Sequence, residues 1–194
     1  MVDVALAQPG PDEVLIRLDY VGVNFFDIYI REGLYAKSPA YGVPFPVRLG
    51  IEGAGVVASV GPKVEDLAEG DRVTYCEALG SYAEYASVPA ERVVKIPDGL
   101  DAKFAAAVML QGMTAHCLTH ATFPLKPGDT CLIHAGAGGV GQLLIRLAKL
   151  RGARVFATVG HRDKVAVAKA CGADEVILYR QTDFREAVLQ ATGG

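Results

Sequence analysis

The stretch TCLIHAGAGGVGQLLIRLAKLRG, residues 130–152, decides the fold of the second part of the chain. A strand-like segment leads into a glycine-rich turn, and the turn opens an amphipathic helix. Gly136, Gly138 and Gly141 occupy the three glycine positions of a G-x-G-x-x-G pattern. The pattern alone is weak evidence, but here a strand precedes it, a helix follows it, and a second strand is expected at 154–159. The segment therefore predicts a dinucleotide-binding βαβ unit.

Each of the three glycines has an expected physical role in such a unit. Gly136 allows a tight turn at the strand end, Gly138 leaves room for a pyrophosphate against the backbone, and Gly141 lets the helix pack closely. The helix that follows offers free N–H groups and the positive end of its dipole to phosphate oxygens. The alternative is a turn with a structural role only.

The residues after the second strand bear on the choice of cofactor. An NAD site usually places an Asp or Glu about 20 residues beyond the glycines to bind the ribose 2′-hydroxyl. This chain instead has the sequence VGHRDK at 159–164. Arg162 and Lys164 could neutralise a 2′-phosphate, whereas Asp163 is expected in the first turn of the next helix, where it favours the dipole. The pattern favours NADP(H) over NAD(H), and the alternative is a solvated helix start.

The composition is that of an ordinary soluble globular protein. The 194 residues are 51% hydrophobic and 21% charged, with a formal net charge of −3. This balance gives no basic surface for nucleic acid, no apolar run approaches the ~20 residues of a membrane-spanning helix, and the first residues lack signal-peptide features. We therefore expect no nucleic-acid or membrane partner and a cytoplasmic location. The four cysteines are far apart and are expected to be buried free thiols: Cys76, Cys117, Cys131 and Cys171.

Two sequence patterns meet near residue 100. In the first part, short strand-like runs separated by Gly, Pro and Asp predict an antiparallel barrel or sandwich. These runs are 13–23, 55–60, 72–76, 82–88 and 92–96. Residues 24–32 predict a short helix, followed by an irregular loop that contains Pro39, Pro44 and Pro46.

The pattern after residue 100 is helical at first. Helices are predicted at 102–109 and 114–121, ahead of the glycine-rich segment. In the helix that follows the glycines, apolar residues recur at helical spacing and are expected to face a sheet. These residues are Val140, Leu143, Leu144 and Leu147.

Strands and helices then alternate to the end of the chain. They are predicted at 154–159, 163–171, 175–178 and 183–191. The order β-α-β-α-β-α predicts half of a parallel sheet with right-handed connections. We therefore divide the chain into a domain at 1–100 and a second region at 101–194 with linking helices and a partial nucleotide-binding domain. Because such sheets normally have two halves, the chain is expected to be a fragment or an incomplete gene product.

Several longer motifs carry a family resemblance. They are VGVNFFDIYIREGLY (21–35), LGIEGAGVVASVG (49–61), EGDRV (69–73), GSYAEYASVP (80–89), LQGMTAH (110–116), HAGAGGVGQLLIRLAK (134–149), ATVG with Lys164, and ILYR (177–180). Through them the whole chain resembles the zinc-independent quinone oxidoreductases, the zeta-crystallin-like branch of the medium-chain dehydrogenase/reductase superfamily, truncated at both ends. The resemblance implies an α/β fold, with a GroES-like mostly-β catalytic domain followed by the first half of a Rossmann doubly wound parallel sheet.

The chain departs from the zinc-dependent branch of that superfamily at two positions. Where that branch has a Cys and a His that hold a catalytic zinc, this chain has Asn24 and Ile51. A catalytic Zn²⁺ needs about three protein ligands, so the comparison implies that no metal is bound. His116 and His120 have an i, i+4 spacing that ligands could use, but we expect them to pack together instead.

The resemblance implies three catalytic residues, Asn24, Tyr29 and Tyr35, where nicotinamide and acceptor meet. Asn24 would orient the nicotinamide carboxamide or the acceptor oxygen, or would serve as a helix N-cap, a position that favours Asn. The tyrosines would stack on a planar acceptor or donate to its carbonyl, or would be ordinary core or loop aromatics. Asp27 is expected to line the same cleft as a supporting or turn residue, with a proton donor as the alternative. Glu52 is expected to be a structural carboxylate of the cleft wall, with a role in the cleft as the alternative.

The same resemblance implies a set of cofactor-binding residues. Lys164 would pair with the 2′-phosphate, and Tyr179 would lie near that phosphate or the adenine. The alternatives are a surface lysine and a strand-end aromatic. The full set is Thr114, Gly136, Gly138, Gly139, Val140, Gly141, Gly160, Lys164 and Tyr179.

The predicted function is that of an NADPH-dependent reductase that transfers hydride to a quinone without a metal. The alternatives are an NADPH-dependent double-bond reductase acting on enones or enoyl thioesters, and a truncated, non-catalytic nucleotide-binding fragment. Quinone reduction needs little acid catalysis, because the hydroquinone oxyanion is already stabilised. The predicted partner is a small-molecule quinone or conjugated carbonyl acceptor, with a homodimer expected only if the full-length chain is present.

Overall fold

A computed structural model describes residues 5, 6, 8–39, 42 and 45–194 of the chain. It contains two compact units, the first ending at Leu110 and the second extending from Gln111 to Gly194. Pro44, which the sequence analysis assigns to an irregular loop, lies outside the described residues. Within the described part, no helix has the length and apolar character needed to cross a membrane. The domain boundary near residue 100 stays a prediction.

The first unit is built on an antiparallel sheet of five strands. The strands are β1 (Glu13–Val21), β2 (Glu52–Val60), β3 (Arg72–Cys76), β4 (Tyr85–Pro89) and β5 (Val93–Lys95). They lie in the order β4-β1-β2-β3-β5. The predicted antiparallel strands are therefore confirmed, although several begin or end a few residues away from the expected positions. The core of this unit includes Val14, Ile16, Val73 and Tyr75.

Helix α1 (Phe25–Arg31) follows β1. Its N-cap residue, Asn24, has an extended backbone with φ −128° and ψ 154°. The Asp27 carboxylate accepts a hydrogen bond from the Asn24 backbone N–H at 2.8 Å. This hydrogen bond marks the start of the helix, because it satisfies a backbone donor that would otherwise lack a partner. Asn24 is thus an N-cap, as one of its two interpretations predicted.

Helix α2 (Ala102–His116) is one continuous helix, followed by a π-helical turn at Cys117–Thr122. The prediction of two separate helices, at 102–109 and 114–121, is therefore wrong. Gly112 lowers helix stability by about 1 kcal/mol relative to Ala. That penalty is too small to interrupt a helix whose earlier alanines are anchored in a buried cluster.

The second unit is a three-stranded parallel sheet with helices between its strands. The elements are β6 (Thr130–Ile133), α3 (Gly139–Leu150), β7 (Arg154–Val159), α4 (Asp163–Ala170), β8 (Glu175–Leu178) and α5 (Phe184–Thr192). The strands lie in the order β6-β7-β8, and both neighbouring pairs are parallel. The predicted half-sheet is confirmed. The carboxyl ends of its strands share one edge, which is where ligands bind in such sheets.

The face that α3 buries differs from the predicted face. The buried residues are Gly141, Ile145 and Ala148. The predicted face is only half-buried and consists of Val140, Leu143, Leu144 and Leu147. The prediction is displaced by about one position because close packing on a sheet selects small side chains, to which a pattern of large apolar residues is insensitive. Leu144 still packs against the core from its edge.

The expectation of four buried thiols holds for two of the cysteines. Cys76 and Cys171 are buried, whereas Cys131 is half-buried and Cys117 is exposed. Cys117 opens the π-helical turn after α2, where the chain leaves the packed part of the helix. All four are free thiols.

Candidate functional site

The glycine-rich loop of the second unit joins β6 to α3. The left-handed backbone conformation in this loop belongs to Ala135, with φ +52°, and Gly136 lies in the turn at the end of β6. A Cβ on Gly136 would lie 2.7 Å from the Ala157 Cβ, and a Cβ on Gly141 would lie 2.3 Å from the Ala135 carbonyl oxygen. Both glycines are therefore required by close packing within the protein.

Gly138 differs from the other two glycines of the motif. It is the exposed N-cap of α3, and a Cβ there would meet one atom, the Ala135 carbonyl oxygen at 3.2 Å. Packing within the described residues thus gives little reason for a glycine, whereas a ligand lying against the backbone gives one. No side chain in the described part of the chain caps α3. Its first N–H groups, at Gly139 and Val140, are therefore open to an anion.

The end of α2 borders this loop. A Cβ on Gly139 would lie 2.0 Å from Oε1 of Gln111, so that side chain covers the glycine closely. Thr114 is half-buried and lies three residues beyond Gln111 on the same helix. Residues at this spacing share a helix face, so Thr114 is on the face that borders the glycine-rich loop.

The carboxyl end of β7 carries the second group of predicted cofactor residues. A Cβ on Gly160 would lie 3.0 Å from the hydroxyl oxygen of Tyr179, which follows β8. The missing side chain therefore lets Tyr179 lie over the end of the neighbouring strand. Tyr179 itself remains 48% exposed, which leaves its ring accessible to a ligand.

Two cations lie at the start of α4, beside this strand end. Arg162 is the N-cap of α4, Lys164 is in its first turn, and both are exposed. Neither has an acidic partner within 4.0 Å among the described residues. Asp163 lies between them in the first turn, as predicted. Both cations are therefore open to an anionic ligand.

A buried polar cluster lies at the start of α1 in the first unit. Asn24 Nδ2 donates to Glu52 Oε1 at 2.7 Å, and the Leu110 backbone N–H donates to Glu52 Oε2 at 2.7 Å. The Tyr82 hydroxyl donates to Asp27 Oδ2 at 2.9 Å. Glu52 is 1% exposed and Asp27 is 4% exposed. We call Asn24, Asp27, Glu52 and Tyr82 the carboxylate cluster.

Burial dominates the electrostatics of the carboxylate cluster. It raises the pKa of Glu52 above its ordinary value, and the charge of Asp27 adds to the rise. The hydrogen bonds from Asn24 and Leu110 oppose that rise in the Glu52 pKa. Burial, together with the bond to Asp27, raises the pKa of Tyr82 to about 12. Oδ1 of Asp27 is buried without a hydrogen-bond partner among the described residues.

An aromatic group extends along α1 and the turn that follows it. The rings of Tyr29 and Tyr35 meet edge to face, with centroids 6.0 Å apart. Tyr35 also stacks on Phe26 at 5.5 Å, and Phe25 lies 6.4 Å from Tyr29. Tyr29 is 37% exposed and Phe25 is 73% exposed. The exposed rings offer a flat apolar surface of the kind on which a planar molecule can stack.

One cavity of the first unit adjoins the aromatic group. Phe26, Ile30 and Ile51 contribute to its lining, and its volume is about 540 Å³. This volume lies within the range of small-molecule sites. A larger cavity, of about 870 Å³, has no residue of α1 in its lining, and neither cavity is lined by Asn24, Tyr29 or Tyr35. The smaller cavity is the one that adjoins the aromatic group, through Phe26.

Comparisons with known proteins assign the chain to a family. Its residues 10–98 match the alcohol dehydrogenase GroES-like domain, and residues 139–194 match the zinc-binding dehydrogenase family. A quinone oxidoreductase of Pseudomonas aeruginosa is 43% identical over 193 residues, which cover 99% of this chain and 58% of that protein. The two matched domains place the chain in the medium-chain dehydrogenase/reductase superfamily, within which it is similar to quinone oxidoreductases. The fold predicted from the resemblance is confirmed.

Two further relatives of this chain are informative. The crystal structure of Escherichia coli quinone oxidoreductase complexed with NADPH matches with a TM-score of 0.94 and 38% identity, over 100% of this chain and 58% of that one. A 2-haloacrylate reductase of a Burkholderia species is 42% identical over 195 residues, covering 99% of this chain and 58% of that protein. The chain thus spans somewhat more than half the length of the relatives it matches.

In this chain, Asn24 and Ile51 occupy the two positions where the zinc-dependent branch has zinc ligands. Ile51 is 4% exposed and apolar, and the Asn24 amide is hydrogen-bonded to Glu52. The described residues contain no group of three or more His, Cys, Asp or Glu arranged to hold a metal ion. The rings of His116 and His120 stack 4.0 Å apart at an angle of 11°, which agrees with the packing role predicted for them.

Sequence reasoning missed part of the carboxylate cluster. Tyr82 and the Leu110 N–H are not predicted, and Glu52 is expected as a structural carboxylate of the cleft wall, with a role in the cleft as the alternative. The partners of Glu52 lie 28 and 58 residues away along the chain, so no local spacing reveals them. Gly22 is the one available signal. A Cβ there would lie 2.0 Å from Glu52 Oε1, so the glycine is needed to accommodate the carboxylate.

Proposed function

We propose that this chain is the acceptor-binding and phosphate-binding part of an NADPH-dependent reductase that reduces quinones without zinc. The observation that carries the proposal is the open position of Gly138 at the uncapped start of α3. It supports a phosphate-binding role because the other two glycines of the motif are explained by packing alone. The choice of a quinone as acceptor rests on the quinone oxidoreductase relatives.

The residues at the edge of the parallel sheet fit a phosphorylated dinucleotide. The N–H groups of Gly139 and Val140 would bind the diphosphate, with Gly138 leaving room for it and Thr114 nearby. When bound, NADPH would supply the hydride that reduces the acceptor. Gly136 and Gly141, which the resemblance also assigns to the cofactor site, would shape this loop through their close packing.

The preference for NADPH over NADH is assigned to the start of α4. Arg162 and Lys164 would pair with the 2′-phosphate, since neither has an acidic partner in the described structure. Tyr179 would flank the phosphate or the adenine, and Gly160 would admit the ribose. No acidic residue stands at the end of β7, where an NAD site usually has one.

The acceptor is assigned to the start of α1. Asn24 would donate a hydrogen bond to an acceptor oxygen, and Tyr29 and Tyr35 would stack on a planar ring. Orientation of a conjugated acceptor is the main requirement, because the reduced oxyanion of a quinone is stabilised by its own ring. Water can then supply the proton.

The chemistry of two side chains supports the proposed zinc independence. Ile51 has no atom that can coordinate a metal, and Asn24 is engaged by Glu52. Without a Lewis acid, a reductase cannot strongly polarise an alcohol oxygen, so an electron-poor conjugated acceptor is favoured over an alcohol. The same proposal includes a cytoplasmic location and, for the whole protein, a homodimer.

A double-bond reductase is the second candidate, and one observation favours it. The Burkholderia relative, at 42% identity, is named for the reduction of a 2-haloacrylate, a conjugated acid without a quinone ring. Both candidates use the same hydride transfer to a conjugated system. They differ in the shape and charge of the acceptor.

Two measurements on the 194-residue chain test the proposal. The first is calorimetric titration with NADPH and NADH, in which NADPH is expected to bind at least tenfold more tightly. The second is the rate of NADPH oxidation with 1,4-benzoquinone, 2-cyclohexenone and 2-chloroacrylate, with and without a chelator. Fastest turnover of the quinone, unaffected by chelator, supports the proposal, whereas preference for either alkene supports the double-bond reductase. Equal affinity for NADH overturns the cofactor assignment, and binding without turnover identifies a non-catalytic nucleotide-binding chain.

A further inference from the structure

The Asn24 side chain can present either of two opposite polar ends to an acceptor. Its amide has a nitrogen that donates and an oxygen that accepts, and the two ends are nearly the same shape. A donor end would hold a quinone oxygen, whereas an acceptor end would repel it. The group that decides the orientation of this amide therefore decides whether Asn24 can serve the reaction.

Glu52 is that group in the described structure. An ionised carboxylate only accepts hydrogen bonds, so the amide end that faces Glu52 Oε1 at 2.7 Å has to be Nδ2. The same nitrogen carries a second N–H, and no further acceptor for it is present among the described residues. That second N–H is available to an external oxygen.

The Glu52 carboxylate is itself held in place by its neighbours. Oε2 accepts from the Leu110 backbone N–H at 2.7 Å, which prevents the carboxylate from rotating away from Asn24. Gly22 has no side chain at the place where a Cβ would lie 2.0 Å from Oε1. The residue is 1% exposed, so water does not compete for its oxygens. A buried carboxylate that accepts two hydrogen bonds in this way has a fixed orientation.

We propose that Glu52 is a positioning residue, which holds the Asn24 amide with its nitrogen inward so that the second N–H is presented to the carbonyl oxygen of the acceptor. This inference rests on the proposed quinone reduction. It gives the buried glutamate a role in orienting substrate that packing alone does not require. The titratable groups that face Glu52 are Asp27 on α1, Cys76 on β3 and Tyr82 in the loop before β4.

Glu52→Gln tests the inference with little change in volume. Its amide cannot accept from both Asn24 Nδ2 and the Leu110 N–H, so the variant favours a flipped Asn24 with its oxygen inward. We expect kcat/KM for benzoquinone to fall at least tenfold, while the Kd for NADPH stays within twofold. Glu13→Gln is the matched control, because Glu13 also accepts a backbone and a side-chain hydrogen bond, from Gly10 and Ser87. It is expected to change neither quantity more than twofold.

A double-mutant cycle distinguishes positioning from a structural role. If Glu52 acts through Asn24, the Glu52→Gln change adds less than a twofold loss in an Asn24→Ala background. Equal losses in both backgrounds would show that Glu52 acts on something else, and the inference would fall.

A second measurement does not depend on turnover or on the variant folding. In the wild-type chain, the side-chain ¹⁵N–¹H resonances of Asn24 should shift with the same midpoint as the Glu52 carboxyl carbon when pH is varied. An Asn24 amide that does not respond to the titration of Glu52 overturns the inference. Absence of quinone turnover in the wild type, with the resonances still coupled, would count against the proposed function and leave the Glu52–Asn24 geometry standing.

Discussion

The starts of α1 and α3 are both helix N-termini, but they satisfy their backbone groups in opposite ways. At α1 the N-cap is Asn24, and the Asp27 carboxylate accepts its backbone N–H. At α3 the N-cap is Gly138, and no described side chain makes a capping hydrogen bond there, although Gln111 lies against Gly139. The first terminus is filled by the protein, and the second is left for an external anion.

This difference separates two ways of building a site. The α3 terminus works through absent side chains, so its features are backbone N–H groups and empty space. The α1 terminus works through buried side chains whose partners come from distant segments, with Glu52 bonded across 28 and 58 residues. We therefore expect the α3 terminus to be sensitive to added atoms, and the α1 terminus to be sensitive to the loss of a hydrogen bond.

Giving α3 a side-chain cap should produce the largest effect. In Gly138→Asp, the new carboxylate would occupy the anion position and satisfy the N–H groups itself, as Asp does at N-caps. We expect NADPH affinity to fall more than about a hundredfold, equivalent to roughly 2.8 kcal/mol, while thermal stability is kept or slightly raised. Calorimetry and thermal unfolding measure the two quantities. The control, Gly138→Ala, adds bulk without charge and should lose less affinity, and an unchanged Kd in Gly138→Asp would refute a phosphate site here.

Gly141→Ala should affect folding instead of binding. The added Cβ would lie 2.3 Å from the Ala135 carbonyl oxygen, a backbone atom that cannot move cheaply. Replacing Gly by Ala inside a helix raises stability by about 1 kcal/mol. Overpacking lowers stability by about 1–3 kcal/mol, and here the clash is with a backbone atom. We expect a net loss of about 1–2 kcal/mol in unfolding free energy by denaturant titration. Stability equal to or above wild type would show that Gly141 is not a packing glycine.

The sequence predicted these two termini to different degrees. The α3 loop was predicted because three glycines at fixed spacing, between a strand and a helix, leave a local signature. The sequence predicts a different role for each glycine, whereas the atoms that pack against Gly136 and Gly141 are visible only in the structure. Asn24 as an N-cap could also be predicted, because capping is a local property.

The errors have a common physical origin in tertiary packing. The buried face of α3 uses Gly141 and Ala148, small residues that a hydrophobic pattern does not detect. The continuity of α2 through Gly112 depends on contacts made elsewhere in the helix. The bonds of Glu52 to Asn24 and Leu110 depend on the register of the folded sheet and on α2. Only the three-dimensional structure brings such residues together.

Lys164→Ala removes a positive charge at the start of α4 and leaves the glycine-rich loop before α3 unchanged. An exposed lysine paired with a 2′-phosphate contributes through screened electrostatics, so about a tenfold loss of NADPH affinity, roughly 1.4 kcal/mol, is expected at low salt. The affinity for NADH should not change. Lys169→Ala, on the same helix, is the matched control and should alter neither Kd. A parallel loss for both cofactors would place Lys164 outside the 2′-phosphate site.

The smallest effect concerns pH, and it belongs to the α1 terminus alone. Burial raises the pKa of Glu52 in the folded chain, so the folded state binds a proton more tightly than the unfolded state. Stability from this group is therefore fully present below the unfolded pKa, near 4.5, and is lost as pH rises through the folded pKa. The slope stays below the one-proton limit of about 1.4 kcal/mol per pH unit.

Two variants test this contribution of Glu52 to stability, because they remove carboxylates whose pKa values are shifted in opposite directions. The bonds from Gly10 and Ser87 lower the pKa of Glu13, so its contribution is present above 4.5 and is lost as pH falls. Unfolding free energies measured from pH 3 to pH 8 should lose the downward slope above 4.5 in Glu52→Gln and keep it in Glu13→Gln. A downward slope that survives in Glu52→Gln would contradict this assignment, because a group other than Glu52 would then release the proton.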